Sequence, residues 1–218
     1  GGEPIRRKNE RIFNCTASFA VAPEILYKSV YLLLCGCGVG LSIQKHHVEQ
    51  MPPIRAHASS VEPSVVVFRI PDSIDGWALA VRVLLASFMD VSKACQVDDN
   101  TSVDDSMFYG KHVVFDFSQI RPQGASISGI TGKAPGPKAL RESIENIQTF
   151  LVKVSKRDGS RKLQPIDVYD IMSFASDAVL AGGVRRSAML MLFSKSDDAM
   201  MNAKVGNWYV DNPQRARA

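Results

Sequence analysis

The sequence predicts an α/β protein built on parallel β-strands. Short β-branched or apolar runs alternate along the chain with longer amphipathic segments, and such alternation is typical of strand–helix–strand units. Several of the expected strands are apolar on both faces, as strands of parallel sheets usually are. Apolar residues make up 45% of the 218 residues and charged residues 22%, which is enough to bury a core in one domain or two.

Five strands are expected from short apolar or alternating runs, at residues 11–20, 39–44, 65–70, 112–117 and 188–193. Four helices are expected between them, at residues 23–34, 71–88, 137–154 and 164–180. Pro23 and Pro137 suit the first turns of the first and third helices. Gly36 suits the end of the first helix, and either Asp72 or Ser73 is the expected N-cap of the second.

The composition argues against several classes of function. The net charge is only +4, and lysine and arginine are not interleaved with aromatic residues, so we expect no nucleic-acid partner. No apolar run has the length of a membrane span and no signal peptide is visible, so we expect a cytoplasmic protein with no membrane partner. Four cysteines do not make a disulfide framework in a chain of this length. Cys35 and Cys37 are a weak metal signal, and no metal site is expected.

The segment between the fourth helix and the fifth strand carries two glycines and two arginines. Such a junction places two cations at the end of a buried sheet, where α/β proteins hold phosphorylated ligands. A helix-capping glycine pair followed by two solvated arginines explains the same pattern. The candidate ligand residues are Gly182, Gly183, Val184, Arg185, Arg186 and Ser187.

A glycine-rich loop at residues 119–136 is the second candidate site. It follows a strand and ends at a helix N-terminus, where backbone amides attract anions. Its spacing fits neither the Walker A loop nor the Rossmann fingerprint, so a phosphate loop and a plain surface loop are both compatible with it. The candidate phosphate ligands are Arg121, Ser128, Gly129, Thr131, Gly132 and Lys133.

Two further candidates involve cysteine and glycine. Cys15 follows Asn14 at the expected end of a strand, where a thiol is either reachable and reactive or a small apolar side chain. Gly36, Gly38 and Gly40 alternate between a helix and a strand, which brings the backbone close to a ligand or to another backbone.

Together these segments resemble the catalytic subunit of ribonucleotide reductase, in its adenosylcobalamin-dependent class. The resemblance follows the order of the family's motifs and covers nearly the whole chain. Its most specific parts are the Asp-x-Ser-x-Ile-Arg-Pro-x-Gly segment at residues 116–124 and the Gly-Gly-Val-Arg-Arg-Ser-Ala segment at residues 182–188. The other parts are Phe13-Asn14-Cys15 and residues 36–44, 72–77 and 212–215.

The resemblance implies which residues meet the substrate. Cys15 looks like the strand cysteine that reduces the substrate and ends in a disulfide with a second thiol. Asn14 is expected to lie at the substrate, and Cys37 stands where the family usually has a glycine. The glycines expected to pack near the substrate are Gly36, Gly38 and Gly40.

The resemblance also implies two loops that bind an effector. Arg121 and residues 128–133 resemble the first loop, which holds the phosphates of a deoxynucleotide. Residues 182–188 resemble the second loop, which passes information from the effector base to the substrate base. Such coupling needs a segment whose arrangement both ligands influence.

The family's fold is a ten-stranded α/β barrel of two five-stranded halves, and the resemblance implies that residues 1–218 are a single partial domain, the first half. The family's radical-forming cysteine, with its asparagine and glutamate, has no counterpart here. We therefore expect a partner chain that carries the C-terminal half. An N-terminal helical piece, nucleotides and a thioredoxin-like reductant are further expected partners, and a dimer is one possible assembly.

The implied function is the reduction of ribonucleotides to deoxyribonucleotides by radical chemistry. Adenosylcobalamin, held mainly by the missing half, is the expected cofactor, and a deoxynucleoside triphosphate is the expected effector. A catalytically inert nucleotide-binding or regulatory module of the same fold is an alternative, which adding the missing half would test. The iron-dependent class of the same enzyme is another, which the cobalamin dependence of turnover would test.

Overall fold

The computed structural model describes Gly2, Arg6 and residues 13–55, 64–91, 103–127, 133–157, 161–181 and 188–217. In these residues five strands and four long helices occur where the sequence predicts them. The strands are β1 (Cys15–Phe19), β2 (Gly38–Ser42), β3 (Val65–Arg69), β4 (His112–Asp116) and β5 (Ala188–Leu192). The long helices are α1 (Pro23–Cys35), α3 (Ile74–Phe88), α4 (Lys138–Ser155) and α5 (Pro165–Ala181).

Three one-turn helices were not expected from the sequence, because a single turn shows no periodicity. They are α2 (Lys45–Val48), α6 (Asp198–Met201) and α7 (Trp208–Asp211). A 3₁₀ turn at Asp105–Met107 precedes β4, and another at Pro213–Arg217 follows α7.

The ends of the helices follow from local chemistry. α1 starts at Pro23 and ends where Gly36 takes a φ of 94°, with its N–H directed at the carbonyls of Leu32 and Leu33. At the start of α3 the Ser73 hydroxyl accepts a hydrogen bond from the Gly76 N–H, 2.9 Å away. Ser73 is therefore the N-cap, and Asp72 is available for a different interaction.

The five strands form two parallel sheets and not one. β2 lies between β1 and β5 in a three-stranded sheet, and β3 pairs with β4 in a second sheet. The expected α/β fold with parallel strands is confirmed, whereas the described residues do not show a five-stranded half-barrel. The alternation of residues shows which segments are extended, but strand pairing depends on distant contacts that a single sequence does not reveal.

The β3–β4 sheet has its own small core. One face packs against α3 and the segment before β4, through Val66, Phe68, Val83, Ala86, Phe108, Val113 and Phe115. The other face is exposed at Val65, Val67 and Val114. Arg69 and Asp116 pair across the end of this sheet, with Nε 2.9 Å from Oδ2.

The three-stranded sheet is also covered on one side only. Val39 and Leu41 of the central strand are buried on the helical side. The opposite side, which we call the bare face, carries Phe19, Leu190 and Leu192, each more than half exposed. The other residues of the bare face are Cys15, Ala17, Gly38, Gly40, Ala188 and Ser42, which is buried.

Helix α5 is anchored by two buried carboxylates. Asp167 receives both terminal nitrogens of Arg157, and Asp170 receives Nε and Nη2 of Arg215 at 2.7 and 2.8 Å. These hydrogen bonds raise the pKa of Arg157 and the pKa of Arg215 above the ordinary value for arginine. Gln214 also donates to Asp170, so the segment at residues 212–215 is fastened to the middle of α5.

Arg215→Ala should destabilise the chain by about 3–5 kcal/mol, because it leaves the carboxylate of Asp170 buried without its cation. The side chains of Asp170 and Arg215 are only 5% and 13% exposed. Arg69→Ala is the matched control, since the Arg69 side chain is 63% exposed and should matter little. Urea unfolding measures both, and equal midpoints for the two variants would contradict this role for Arg215.

Candidate functional site

Cys15 lies at the first position of β1 and is exposed on the bare face. It is in register with Gly38 of β2, which is in register with Ala188 of β5. The carbonyl of Asn14 accepts a hydrogen bond from the Gly38 N–H at 2.9 Å. The thiol therefore stands in a row of very small neighbours at one end of the sheet.

Gly38 and Gly40 of β2 place no side chains on the bare face beside this thiol. A Cβ at Gly38 would lie 3.7 Å from the Cβ of Ala188, and one at Gly40 would lie 3.6 Å from the Cβ of Ala17. These are ordinary contact distances, and neither glycine has a positive φ. Nothing in the described part of the fold therefore requires glycine at either position, and their effect is to leave the bare face without side chains there. Gly36 differs, because its positive φ ends α1.

Cys37 lies on the opposite side of β2 from the bare face. Its side chain is 1% exposed, and the thiol donates to the Phe13 carbonyl at a distance of 2.9 Å. The bond ties the start of β2 to the residues just before Cys15. Cys37 thus supports the strand that carries the exposed thiol, a contact that sequence reasoning did not find because it joins residues 24 positions apart.

The other end of the bare face is closed by His47. Its Nδ1 lies 3.0 Å from the Ser42 hydroxyl, and its ring centroid lies 4.8 Å from that of Phe19. Burial, and then the neighbouring charge of His46, lower the pKa of His47 below its ordinary value. No group of three or more metal-ligating side chains occurs in the part of the chain that the structure describes.

The expected second effector loop falls outside the described residues, which applies to Gly182, Gly183, Val184, Arg185, Arg186 and Ser187. Both of its attachment points are described. Ala181 ends α5, and Ala188 begins β5 in register with Gly38. The segment therefore joins the sheet at the level of Cys15.

Arg121 of the expected first effector loop is held by two neighbours. Its Nε donates to the Asp72 carboxylate at 2.5 Å, and Nη1 donates to the Ser126 carbonyl at 3.4 Å. Ser126 pairs with Lys133 in an antiparallel bridge. Arg121 and the exposed Lys133 thus belong to one closed loop, whereas Ser128, Gly129, Thr131 and Gly132 are outside the described residues.

The Asp-x-Ser-x-Ile-Arg segment holds that loop in place. Asp116 accepts hydrogen bonds from the Ser118 N–H and from Arg69, and these bonds lower the pKa of its carboxyl to about 2. Ile120 is buried in the core, and Arg121 pairs with Asp72. Each specific position of the motif therefore has a structural contact.

The segment at residues 72–77 contains a glycine that packing requires. A Cβ at Gly76 would lie 2.2 Å from the carbonyl oxygen of Pro71, far inside van der Waals contact. The close approach lets Ser73 cap α3 while Asp72 reaches Arg121. Sequence reasoning expected the N-cap of the helix here, at Asp72 or Ser73, but gave Gly76 no role.

Known proteins were compared with the whole chain. A family model described as the insertion domain of B12-dependent ribonucleotide reductase matches residues 45–151. That range begins after β2 and ends within α4, so it includes the β3–β4 sheet and excludes every strand of the three-stranded sheet. The family boundary and the division into two sheets coincide.

Curated relatives are adenosylcobalamin-dependent ribonucleoside-triphosphate reductases. The one from Lactobacillus delbrueckii subsp. bulgaricus is 30% identical over 198 residues, covering 79% of this chain and 24% of the relative. The one from Lactobacillus acidophilus is 28% identical over 202 residues, with shares of 79% and 25%. The chain thus spans about a quarter of the length of these relatives.

A solved structure shares the fold. A crystal structure of a B12-dependent (class II) ribonucleotide reductase superposes with a TM-score of 0.65 at 21% identity, over 87% of this chain and 27% of that one. No helix among the described residues is both long and apolar enough to cross a membrane.

Gly76→Ala should destabilise the chain by about 1–3 kcal/mol, because the new methyl group would overlap the Pro71 carbonyl. Gly40→Ala is the matched control and should cause no loss, because its methyl group meets Ala17 at an ordinary distance and alanine suits a strand better than glycine. Thermal unfolding of both variants checks this. Similar losses for the two would show that β2 is as tightly packed as the start of α3.

Proposed function

Because the chain belongs to the adenosylcobalamin-dependent ribonucleotide reductases, we propose that it provides the substrate-facing sheet and the effector loops of an enzyme that makes deoxyribonucleotides. The proposal rests chiefly on the bare face, where an exposed thiol stands beside glycines that the fold itself does not require. The matching relatives are named as triphosphate reductases, so we propose ribonucleoside triphosphates as substrates.

Cys15 is the reducing thiol in this proposal. The 2′-hydroxyl of the ribose leaves as water and a hydrogen takes its place, which needs two electrons and two protons. Two thiols provide them and become a disulfide, so Cys15 needs a second thiol whose Cα approaches to about 4.4–6.8 Å. Among the described residues Cys35 and Cys37 are buried, and we propose that the second thiol comes from another part of the enzyme. A thioredoxin-like dithiol then returns the disulfide to two thiols.

Another polypeptide segment has to cover the bare face. Phe19, Leu190 and Leu192 expose large apolar side chains on the same face as Cys15, and a parallel sheet is normally buried on both faces. We propose that the C-terminal half of the reductase covers this face and brings the radical cysteine and the carboxylate. The substrate would then lie between the two halves, away from water.

When bound, adenosylcobalamin supplies the radical that starts the reaction. The described residues do not fit this cofactor, because the bare face is flat and forms no walls that could enclose a corrin ring. We assign the cobalamin contacts to the rest of the enzyme. The names of the matching relatives favour the cobalamin class over the iron-dependent class.

The two loops are proposed to bind a deoxynucleoside triphosphate. Arg121 and Lys133 bring two cations to one closed loop, and charge-assisted hydrogen bonds to phosphate are among the stronger polar contacts. Residues 182–187 are proposed to recognise the effector base. The segment joins β5 at the level of Cys15, which supports a role in passing the identity of that base to the substrate.

Cys15→Ser should abolish repeated turnover when the chain is assembled with a polypeptide that carries the rest of the reductase. Serine has nearly the same size but cannot form the disulfide, and the exposed site should leave the unfolding temperature almost unchanged. The measurement is steady-state deoxyribonucleotide formation with adenosylcobalamin and a dithiol. The isolated wild-type chain is the blank, and product from it would refute the need for the rest of the reductase. Sustained turnover by the variant would refute the role of Cys15.

Arg121→Ala should weaken binding of a deoxynucleoside triphosphate by roughly tenfold or more, because one charge-assisted contact is lost. Lys45→Ala is the control, since it removes an equal charge from an exposed side chain of α2, outside both loops. Titration calorimetry compares the two variants, and equal affinities would place the phosphates elsewhere.

Arg185→Ala should instead change which substrate each effector favours in the assembled enzyme.

A further inference from the structure

The segment that leads into Cys15 is held at two consecutive carbonyl groups. The Asn14 carbonyl accepts a hydrogen bond from the Gly38 N–H at 2.9 Å, and the Phe13 carbonyl accepts one from the Cys37 thiol at 2.9 Å. The Phe13 side chain is 65% exposed and Asn14 is exposed as well, so packing of these two side chains contributes little. The position of the segment therefore depends on the groups that bind its backbone.

Cys37 is itself fixed in place. Its side chain is 1% exposed, and its N–H donates to the Leu32 carbonyl in the last turn of α1, 2.9 Å away. The thiol is therefore a donor with a fixed position. Through it the end of α1 and the start of β2 are joined to the residues just before Cys15.

Cys15 needs this support because it is the first residue of a strand that pairs, in the described part of the chain, on one side only. The ends of such strands open locally at a small cost in free energy. A disulfide tolerates only a narrow range of Cα separations. Opening at Cys15 would therefore take its sulfur out of reach of a second thiol for part of the time and slow the reaction between them.

We propose that Cys37 is a positioning residue for substrate reduction: by holding the Phe13 carbonyl, its thiol keeps Cys15 in register with Gly38 and within reach of the second thiol. Cys37 lies on the side of β2 away from the bare face and acts through the backbone. The inference rests on the proposed role of Cys15 and deepens it. It also gives a role to a cysteine that stands where the resemblance predicts glycine, which has no side chain to reach Phe13.

The first test uses the whole chain alone and measures hydrogen exchange at the Gly38 amide, which is bonded to Asn14. Cys37→Ala removes the neighbouring tether, and this amide should exchange several-fold faster. Cys37→Ser keeps a hydroxyl donor and should retain most of the protection. Cys35→Ala is the matched control, because it removes the same atom from a side chain that is 2% exposed and should leave exchange at Gly38 unchanged.

The second test measures the first turnover of prereduced enzyme, assembled with a polypeptide that carries the rest of the reductase, adenosylcobalamin and a ribonucleoside triphosphate. Cys37→Ala should slow this turnover about tenfold at an unchanged KM, since misplaced reacting groups lower the rate of the chemical step. Cys37→Ser should recover most of the rate. Cys35→Ala should react as the wild type does, even where thermal unfolding shows that both alanine variants lose similar stability.

The two tests separate this inference from the proposed function. Unchanged exchange at Gly38 in Cys37→Ala, or faster exchange with a wild-type first turnover, overturns the positioning role and leaves the role of Cys15 standing. Equal slowing of the first turnover in Cys35→Ala also overturns it, because any buried defect would then suffice. Sustained turnover by Cys15→Ser is a different result, which overturns the role of Cys15 and the inference that rests on it.

Discussion

The unequal burial of the two faces of the three-stranded sheet determines how the rest of the chain is arranged. On one face Val39 and Leu41 lie under the helices, and this contact positions α1 and α5. On the other face no described residue covers the row that runs from Cys15 through Gly38 to Ala188. The same three strands therefore support the core on one side and present the proposed reaction surface on the other.

Local chemistry made most of the secondary structure predictable. The four long helices lie within a few residues of their expected positions, because proline, glycine and serine mark their ends. Strand pairing was not predictable, since β3 and β4 look as apolar as β5 yet form another sheet. The contacts of Arg121 with Asp72 and of Cys37 with Phe13 were also missed, because both join residues that are distant in sequence. The roles of Cys15 and of the loops stay predictions.

The two sheets divide the chain into two structural regions. The β1–β2–β5 sheet carries the thiol, while the region matched by the insertion-domain model carries β3, α3, β4 and Arg121. Helices α1 and α3 pack against each other and so join the two regions, because α1 connects β1 to β2 and α3 belongs to the matched region.

The outer strands of the three-stranded sheet have a consequence for the behaviour of the chain in solution. In the described residues β1 and β5 each pair on one side only, so backbone N–H and C=O groups on their outer edges are available to any extended peptide. A second copy of the chain can meet these groups, with apolar Phe19 and Leu192 beside them. Self-association by edge-to-edge pairing should therefore rise with protein concentration.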